Sequence, residues 1–320
     1  EPPQHVHLIF LVGDPEAAAG AFEHSIKLAP NHSQPRYYMG MLLLDVDRDE
    51  EAFKYLSDAA RYDASLYPAI QRLARRNFKD AKAIESAVRP VSTDAKRSVA
   101  RYLIKYRYMT DSIRSFLLSD ELTIGQKNEF VKYLLHKNQY QLARDVWFSR
   151  QGQDASAADK PIYDGGFERI AESDASGLGW QIDQAISSTA VARDKDNVHS
   201  GDSSLNVRFA GNVELRRPVI SQIAFIEPAR RYRLTFFVRS TEIITAGPPA
   251  IVISDLNNNE ILARSAPIPD TDGKWIQMNI DFTAKDAPVV LISLQRPTCN
   301  ASPCPIFGDL SLDNFFLANN

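Results

Sequence analysis

The chain changes its apolar rhythm near the middle. Up to Ser149, apolar residues recur at three- and four-residue intervals, as in "EEAFKYLSDAARY" and "STDAKRSVARYLIKYRY". That spacing places one stripe of a helix against a core. After Lys160 the apolar positions alternate. In "RYRLTFFVRS", Tyr232, Leu234, Phe236 and Val238 share one face, while Arg231, Arg233, Thr235, Phe237 and Arg239 share the other. A strand with one buried side is predicted there. "VISQIAFI", "PAIVISDL", "WIQMNIDF", "VVLISLQR" and "LSLDNFFLA" predict further strands, "NVHSGDSSLNVRF" a turn leading into another, and "EPARR", "DLNNNE" and "TDGK" predict turns.

The helical half repeats itself. Ala18, Phe22, Ser25 and Pro30 have the spacing of Ala52, Leu56, Ala59 and Ala64, shifted by 34 residues. "PRYYMGMLLL" precedes the second set and carries Gly40. This pattern resembles the tetratricopeptide repeat, in which small residues let the two helices of a hairpin approach and a large side chain fills the adjacent gap. Ala64 stands where the family has proline, and the leading helix of the first unit has to come from "QHVHLIFLV". "LYPAIQRLARR", "FKDAKAIESAV", the Ser-Thr-Asp cap signal at Ser92, "TDSIRSFLLS", "GQKNEFVKYLLHKN" and "YQLARDVWFS" extend the array to about five hairpins. Such arrays curve and leave a groove. Tyr37, Tyr38, Arg72, Arg75, Arg76 and Tyr102 are the groove candidates for a protein or peptide partner. The competing reading packs Tyr37 and Tyr38 between helices.

Eight or more short strands at this spacing argue for an antiparallel sandwich or jelly roll. The motif order "DGGFE", "GW", "HSGDSSLNV", "ISQIAFIEPARRYRLTFFVRS", "GKWIQMNIDFTA" and "LDNFFL" resembles the galactose-binding-like jelly rolls that include carbohydrate-binding modules. The resemblance covers residues 161–320. It implies that "PIYDGGFERI" (Pro161 to Ile170) is the first strand, with Phe167 in the core and Glu168 facing the closing strand near Asp313. It also implies a structural calcium held by Glu168 and Asp313, with Asp164 and the loop of Asp202 adding oxygens. The alternative is that Glu168 and Asp313 cap turns or pair with arginines.

A sugar site needs ring platforms beside planar polar side chains. Gln222, Arg239, Gln295 and Arg296 are polar positions within apolar strands and are the carbohydrate-binding candidates, with Arg216 and Arg217 preceding them. Trp180 and Trp275 follow turns at positions that read as core, which leaves Phe225, Phe237 and Tyr163 as platforms. An ordinary solvated sheet face accounts for the strand arginines equally well.

Composition narrows the function. With 320 residues, 44% hydrophobic and 24% charged, the chain can build two cores. A net charge of −3 offers no global basic field, so nucleic acid is not an expected partner. "VHLIFLV" is too short for a bilayer, which takes about 20 residues. No intact signal pattern stands at the start, and the numbering is expected to begin after a removed segment. The two cysteines, Cys299 and Cys304 in "RPTCNASPCPIF", are either a local disulfide or two free thiols. With no second pair and no histidine near, zinc is disfavoured and the disulfide preferred, which implies an oxidising compartment.

Catalytic signatures are missing: there is no G-x-S-x-G elbow and no H-E-x-x-H pair, and Asp255, Asp270, Asp272 and Asp281 read as turn residues. The sequence therefore predicts a multidomain α + β chain: an α-solenoid of helical hairpins over 1–150, a linker over 151–160, and a jelly-roll β-sandwich over 161–320. The expected function is non-enzymatic binding in a periplasmic or extracellular setting, such as surface-polysaccharide assembly or export. The helices dock a protein, and the jelly roll either binds a glycan or serves as a rigid module. A protein-only scaffold and an accessory region of a larger carbohydrate-active enzyme are the alternatives.

Overall fold

The computed structural model describes residues 14–150, 160–169 and 176–319. The expected leading helix in "QHVHLIFLV" and nine of the ten linker positions, 151–159, lie outside the described residues. Two compact units divide between Gln126 and Lys127.

The first unit holds helices α1 (Pro15–Leu28), α2 (Ser33–Asp45), α3 (Asp49–Tyr62), α4 (Tyr67–Asn77), α5 (Ala81–Val88), α6 (Thr93–Lys105) and α7 (Asp111–Leu118). Their starts are set by capping. Asp14 accepts from the N–H groups of Glu16 and Ala17, and Asp80, Ser92 and Thr110 accept from Ala83, Ala95 and Ile113. Proline at the first turn of α1 and α4 adds a pre-set φ. Ala18, Phe22, Ala52, Leu56 and Ala59 are buried, as their spacing predicts. The α2–α3 crossing explains Gly40. A Cβ there would meet Leu56 Cγ at 2.5 Å and the Ala52 carbonyl oxygen at 3.0 Å.

The second unit joins the last helical hairpin to a β-sandwich. Helix α8 (Ile124–His136) begins just ahead of the division, and α9 (Tyr140–Phe148) follows it. The strands are β1 (Gln181–Ile182), β2 (Thr189–Asp194), β3 (Ser204–Asn212), β4 (Ile220–Phe225), β5 (Arg231–Thr245), β6 (Ala250–Asp255), β7 (Ile261–Arg264), β8 (Ile276–Thr283), β9 (Val289–Gln295) and β10 (Pro305–Asn319). They form two antiparallel five-stranded sheets, ordered β1-β4-β9-β6-β7 and β2-β3-β10-β5-β8. The core lies between them. Tyr232, Leu234, Phe236 and Val238 enter it as expected, and so do Phe167 and Trp180.

The two sheets have different outer faces, and the sequence pattern explains why. Strand β6 is buried at every position and β9 at most of them, matching their near-continuous apolar runs. Their sheet is covered on its outside, partly by α9. Trp147 meets Tyr163 edge to face at 4.6 Å, the Arg144 guanidinium lies 5.3 Å from the Phe225 ring, and the Tyr140 hydroxyl donates to Asn257 at 2.9 Å. Phe225 is half-buried beside the Arg144 guanidinium. Strands β5 and β8 instead alternate buried with open positions, so the outer face of β2-β3-β10-β5-β8 stays accessible.

One strand expectation fails. Residues 161–169 form bends and turns, not a first strand. Asp164 and Phe167 both take left-handed backbone angles, at φ 50° and 57°. The Asp164 carboxylate accepts from the N–H groups of Glu168 and Arg169 at 2.9 and 3.0 Å. An Asp before two glycines closes a local turn more readily than it joins a ladder. Strands β1, β2 and β7 are additions that the alternation did not reveal, being short edge strands with no buried side chain.

Candidate functional site

The open face of β2-β3-β10-β5-β8 collects aromatic and polar side chains in register. Phe237 pairs with Asp313 on one side and Gln277 on the other, and Arg239 pairs with Ser311, which pairs in turn with Asn206. Since Ile276 opposes the inward-facing Val238, Trp275 takes the opposite parity and points outward. Its expected place in the core is therefore wrong; it is half-buried on the open face. The His199 ring stacks on Phe237 with centroids 3.6 Å apart, and Trp275 meets His199 edge-on at 5.7 Å.

Beside this trio runs a polar cavity of about 640 Å³ lined by Arg193, Asp194, Asn206, Arg208, Arg239 and Asp309 among others. Arg239 donates to the Gly273 carbonyl at 2.8 Å, and Arg208 pairs with Asp309 at 2.9 Å. Asp194 is partly desolvated, but hydrogen bonds from Asn197 and Asp196 and the charge of Arg239 hold its pKa below the usual carboxylate value. Charges of both signs thus share a wet groove beside rings. Such a surface can exchange hydrogen bonds with vicinal hydroxyls while a ring face covers C–H groups.

The end of the face nearest the trio is roofed by two loops, and the calcium candidates lie there. Asp313 points to the outer side of β10 yet is wholly buried. Its Oδ2 accepts from the N–H groups of His199 and Ser200, both at 3.0 Å, and its Oδ1 has no hydrogen-bond partner among the described residues. Burial raises its pKa, offset in part by the N–H groups of Ser200, His199 and Asn314. Glu168 accepts from the Asp202 N–H at 3.0 Å and the Ser203 hydroxyl at 3.1 Å, with Arg193 at 3.7 Å.

Glycines make the close approach of these loops possible. A Cβ on Gly165 would sit 2.1 Å from the Phe315 carbonyl oxygen, and Gly201, at φ 74°, leaves room for the Glu168 carboxylate. From Gly166, the Glu168 Oε1 and Asp313 Oδ1 atoms are both under 4 Å from a built Cβ, at 3.7 and 3.8 Å. Asp164 and Asp202 depart from the expected ligand set: Asp164 spends its carboxylate on its own turn, and Asp202 offers Glu168 its backbone N–H. Burial raises the Asp164 pKa, with its N–H donors opposing. Among the described residues no group of three or more His, Cys, Asp or Glu is arranged to hold a metal.

The four carbohydrate candidates are not brought together. Arg239 alone lies on the open face. Gln222 is buried and exchanges two hydrogen bonds with the Tyr163 backbone, at 3.0 and 2.8 Å, which ties the turn region to β4. Gln295 donates to Ser293 on its own strand. Arg296 is buried among carbonyls. These three belong to the sandwich interior and the other sheet. His199 is the residue that sequence reading missed; its turn is placed by Asp313, a contact 114 residues away in sequence.

In the helical unit, Arg72, Arg75 and Tyr102 are brought together. The Arg75 guanidinium lies 3.7 Å from the Tyr106 centroid, and Tyr102 is 4.9 Å from Tyr106. The Tyr102 hydroxyl is pushed up by desolvation and by Tyr106, opposed by Arg75 and Arg72. Tyr37 and Tyr38 stand elsewhere, with Tyr38 stacked on Phe22 against the α1–α3 core.

No protein-family model and no curated protein matches the chain. Solved structures do resemble it over about half its length, the C-terminal half. The CBM22-1 xylan-binding domain of Xyn10C from Paenibacillus barcinonensis is 16% identical, covering 48% of this chain and 91% of that one, with a TM-score of 0.34. A CBM4 structure is 15% identical over 50% of this chain and 99% of its own, with a TM-score of 0.38. TmCBM61 in complex with β-1,4-galactotriose is 18% identical over 50% and 99%, with a TM-score of 0.33. Likenesses at this level carry nothing about what this chain binds.

Proposed function

We propose that the protein is a non-enzymatic binding protein whose sandwich holds a polysaccharide on the open face of β2-β3-β10-β5-β8. The observation that supports this reading is the His199–Phe237–Trp275 cluster, half open to solvent beside a groove of mixed charge. The positive and negative groups nearly balance there, which suits a hydroxyl-rich, uncharged chain. Isothermal titration against a panel of soluble oligosaccharides tests it. Trp275→Ala and Arg239→Ala should each weaken the best ligand about tenfold or more at an unchanged melting midpoint. Wild-type protein that binds nothing at millimolar sugar would sink the reading and leave the scaffold alternative.

A structural calcium is proposed where Glu168 and Asp313 approach. The supporting observation is the buried Asp313 Oδ1, a hard oxygen donor that has no hydrogen-bond partner among the described residues. Glu168 Oε1 and loop carbonyls would complete the oxygen set. The ion would fix the 164–168 and 198–203 loops on one another and so hold His199 in place.

The helical unit is proposed as a tetratricopeptide-like array that docks a protein partner, with Arg72, Arg75, Tyr102 and Tyr106 as its contact patch. The setting is proposed as periplasmic or extracellular, in surface-polysaccharide assembly or export. The Cys299–Cys304 disulfide supports an oxidising compartment, and no helix among the described residues is long and apolar enough to cross a membrane. Pull-down with the full chain, wild type against Arg75→Glu, tests the docking patch.

A further inference from the structure

The disulfide sits against a buried cation. Cys299 and Cys304 close a loop just after β9, and both are half-buried. Arg296, at the root of that loop, is 1% exposed. Its Nε donates to the Gly247 carbonyl at 2.8 Å, and its Nη1 to the carbonyls of Val213 and Cys304 at 3.0 and 2.9 Å. Its Nη2 donates to the Thr245 hydroxyl at 2.9 Å and to the Cys304 Sγ at 2.8 Å.

Every partner of this guanidinium is neutral. Among the described residues no carboxylate pairs with it, so carbonyl dipoles and one sulfur are all that balance a charge taken out of water. Burial accordingly pulls the Arg296 pKa down from its usual value. An anion formed at the Cys304 Sγ would supply the missing counter-charge. Cys299 Sγ receives no such donor among the described residues. The two sulfurs of one bond therefore differ in how well each can carry the electron pair when the bond breaks.

We propose that Cys299–Cys304 is a redox-active disulfide that exchanges with thiols, taking the incoming sulfur on Cys299 and releasing Cys304 as a thiolate held by Arg296. An incoming small-molecule thiolate attacks the Cys299 Sγ. The S–S bond breaks, its electron pair goes to Cys304, and a mixed disulfide remains on Cys299. A second thiolate then attacks the sulfur of the bound small thiol. That step frees Cys299 and yields one small-molecule disulfide, so two thiols are oxidised as the protein disulfide is reduced. The lower-pKa thiol is the better leaving group, which sets this direction. Burial in apolar surroundings would raise a thiol's pKa, but a cation in direct contact outweighs it, as at other reactive cysteines beside Arg or Lys.

The test uses the full chain and the fact that these are its only cysteines. Cys299→Ser leaves Cys304 alone, and Cys304→Ser leaves Cys299 alone. Iodoacetamide alkylation rates are followed by mass against pH, and the midpoint of each profile reads thiolate formation independently of access. Cys304 should titrate at least about one pH unit below Cys299. Arg296→Gln in the Cys299→Ser background should return it to the ordinary thiol range. Should that variant fail to fold, the two single-cysteine proteins decide the matter. Wild-type protein treated with glutathione and quenched in acid should carry the adduct on Cys299. A Cys304 midpoint at or above that of Cys299, or an adduct mainly on Cys304, would overturn the proposal.

Discussion

The Asp313 carboxylate holds the His199 backbone. Its Oδ2 accepts from the N–H groups of His199 and Ser200, each at 3.0 Å, and the ring of His199 then lies 3.6 Å over Phe237, the cross-strand partner of Asp313 itself. A buried acid thus positions the aromatic surface through the backbone of its turn. Asp313→Ala leaves two N–H groups without an acceptor, a cost of roughly 2–5 kcal/mol. It should lower the melting midpoint and weaken oligosaccharide binding together. Asp313→Asn keeps an acceptor oxygen of the same shape, so in calcium-free buffer its binding should stay within about threefold of wild type. Equal losses in both variants by titration and thermal melting would mean that the charge, not the hydrogen bonds, holds the turn.

Calcium should act through the same residue. Burial disfavours the ionised form of Asp313, and its Oδ1 has no hydrogen-bond partner among the described residues. Without calcium, Asp313→Asn should be as stable as wild type or more so, because a buried charge that its N–H donors only partly offset is removed. With calcium at a hundredfold excess over Kd, wild type should gain about 2.7 kcal/mol and melt several degrees higher, while Asp313→Asn gains little. Melting curves in calcium and in chelator, for both proteins, read the difference directly. A wild-type midpoint that ignores both additions rules the ion out.

Two residues that look alike in sequence should separate cleanly. Gln222 and Arg239 are both polar positions in apolar strands, yet Gln222 is buried against the Tyr163 backbone and Arg239 lines the open groove. Gln222→Ala should cost about 1–3 kcal/mol by orphaning two backbone groups, with its effect seen in thermal melting. Arg239→Ala should leave the midpoint nearly unchanged and weaken oligosaccharide binding. The reverse pattern would place the site on the other sheet.

That pair also marks how far the sequence could be read. Alternation in "RYRLTFFVRS" gave β5 and its inward residues correctly, because one face of that strand is open and the period is undisturbed. The Ser-Thr-Asp signal at Ser92 located the start of α6 for the same reason: the interaction is local. Trp275 was misplaced because its face depends on parity with β5, and a tryptophan next to a "TDGK" turn satisfies either parity by composition. Gln222 and Arg296 were misread because their partners are backbone carbonyls and N–H groups of distant loops, which no side-chain pattern announces. "PIYDGGFERI" failed as a strand because Asp164 captures two N–H groups that a ladder would have used.

Gly40 offers a test of the helical unit in which two known effects oppose each other. In an exposed helix interior, Gly→Ala stabilises by about 0.8–1 kcal/mol. Here the new methyl would stand 2.5 Å from the Leu56 Cγ and 2.8 Å from its Cδ2, with the Ala52 carbonyl oxygen at 3.0 Å. Leu56 is wholly buried and has little room to turn away, and overpacking of this kind costs about 1–3 kcal/mol. The clash should win, so Gly40→Ala lowers the melting midpoint although it improves helix propensity. Leu56→Ala alone leaves a cavity and costs about 2–5 kcal/mol. Combined with Gly40→Ala, it removes the obstacle, so the double variant should be more stable than the sum of the two single losses, with a coupling of about 1 kcal/mol or more. Denaturant unfolding of the four proteins closes that cycle; strict additivity would show that α2 and α3 do not touch at this crossing.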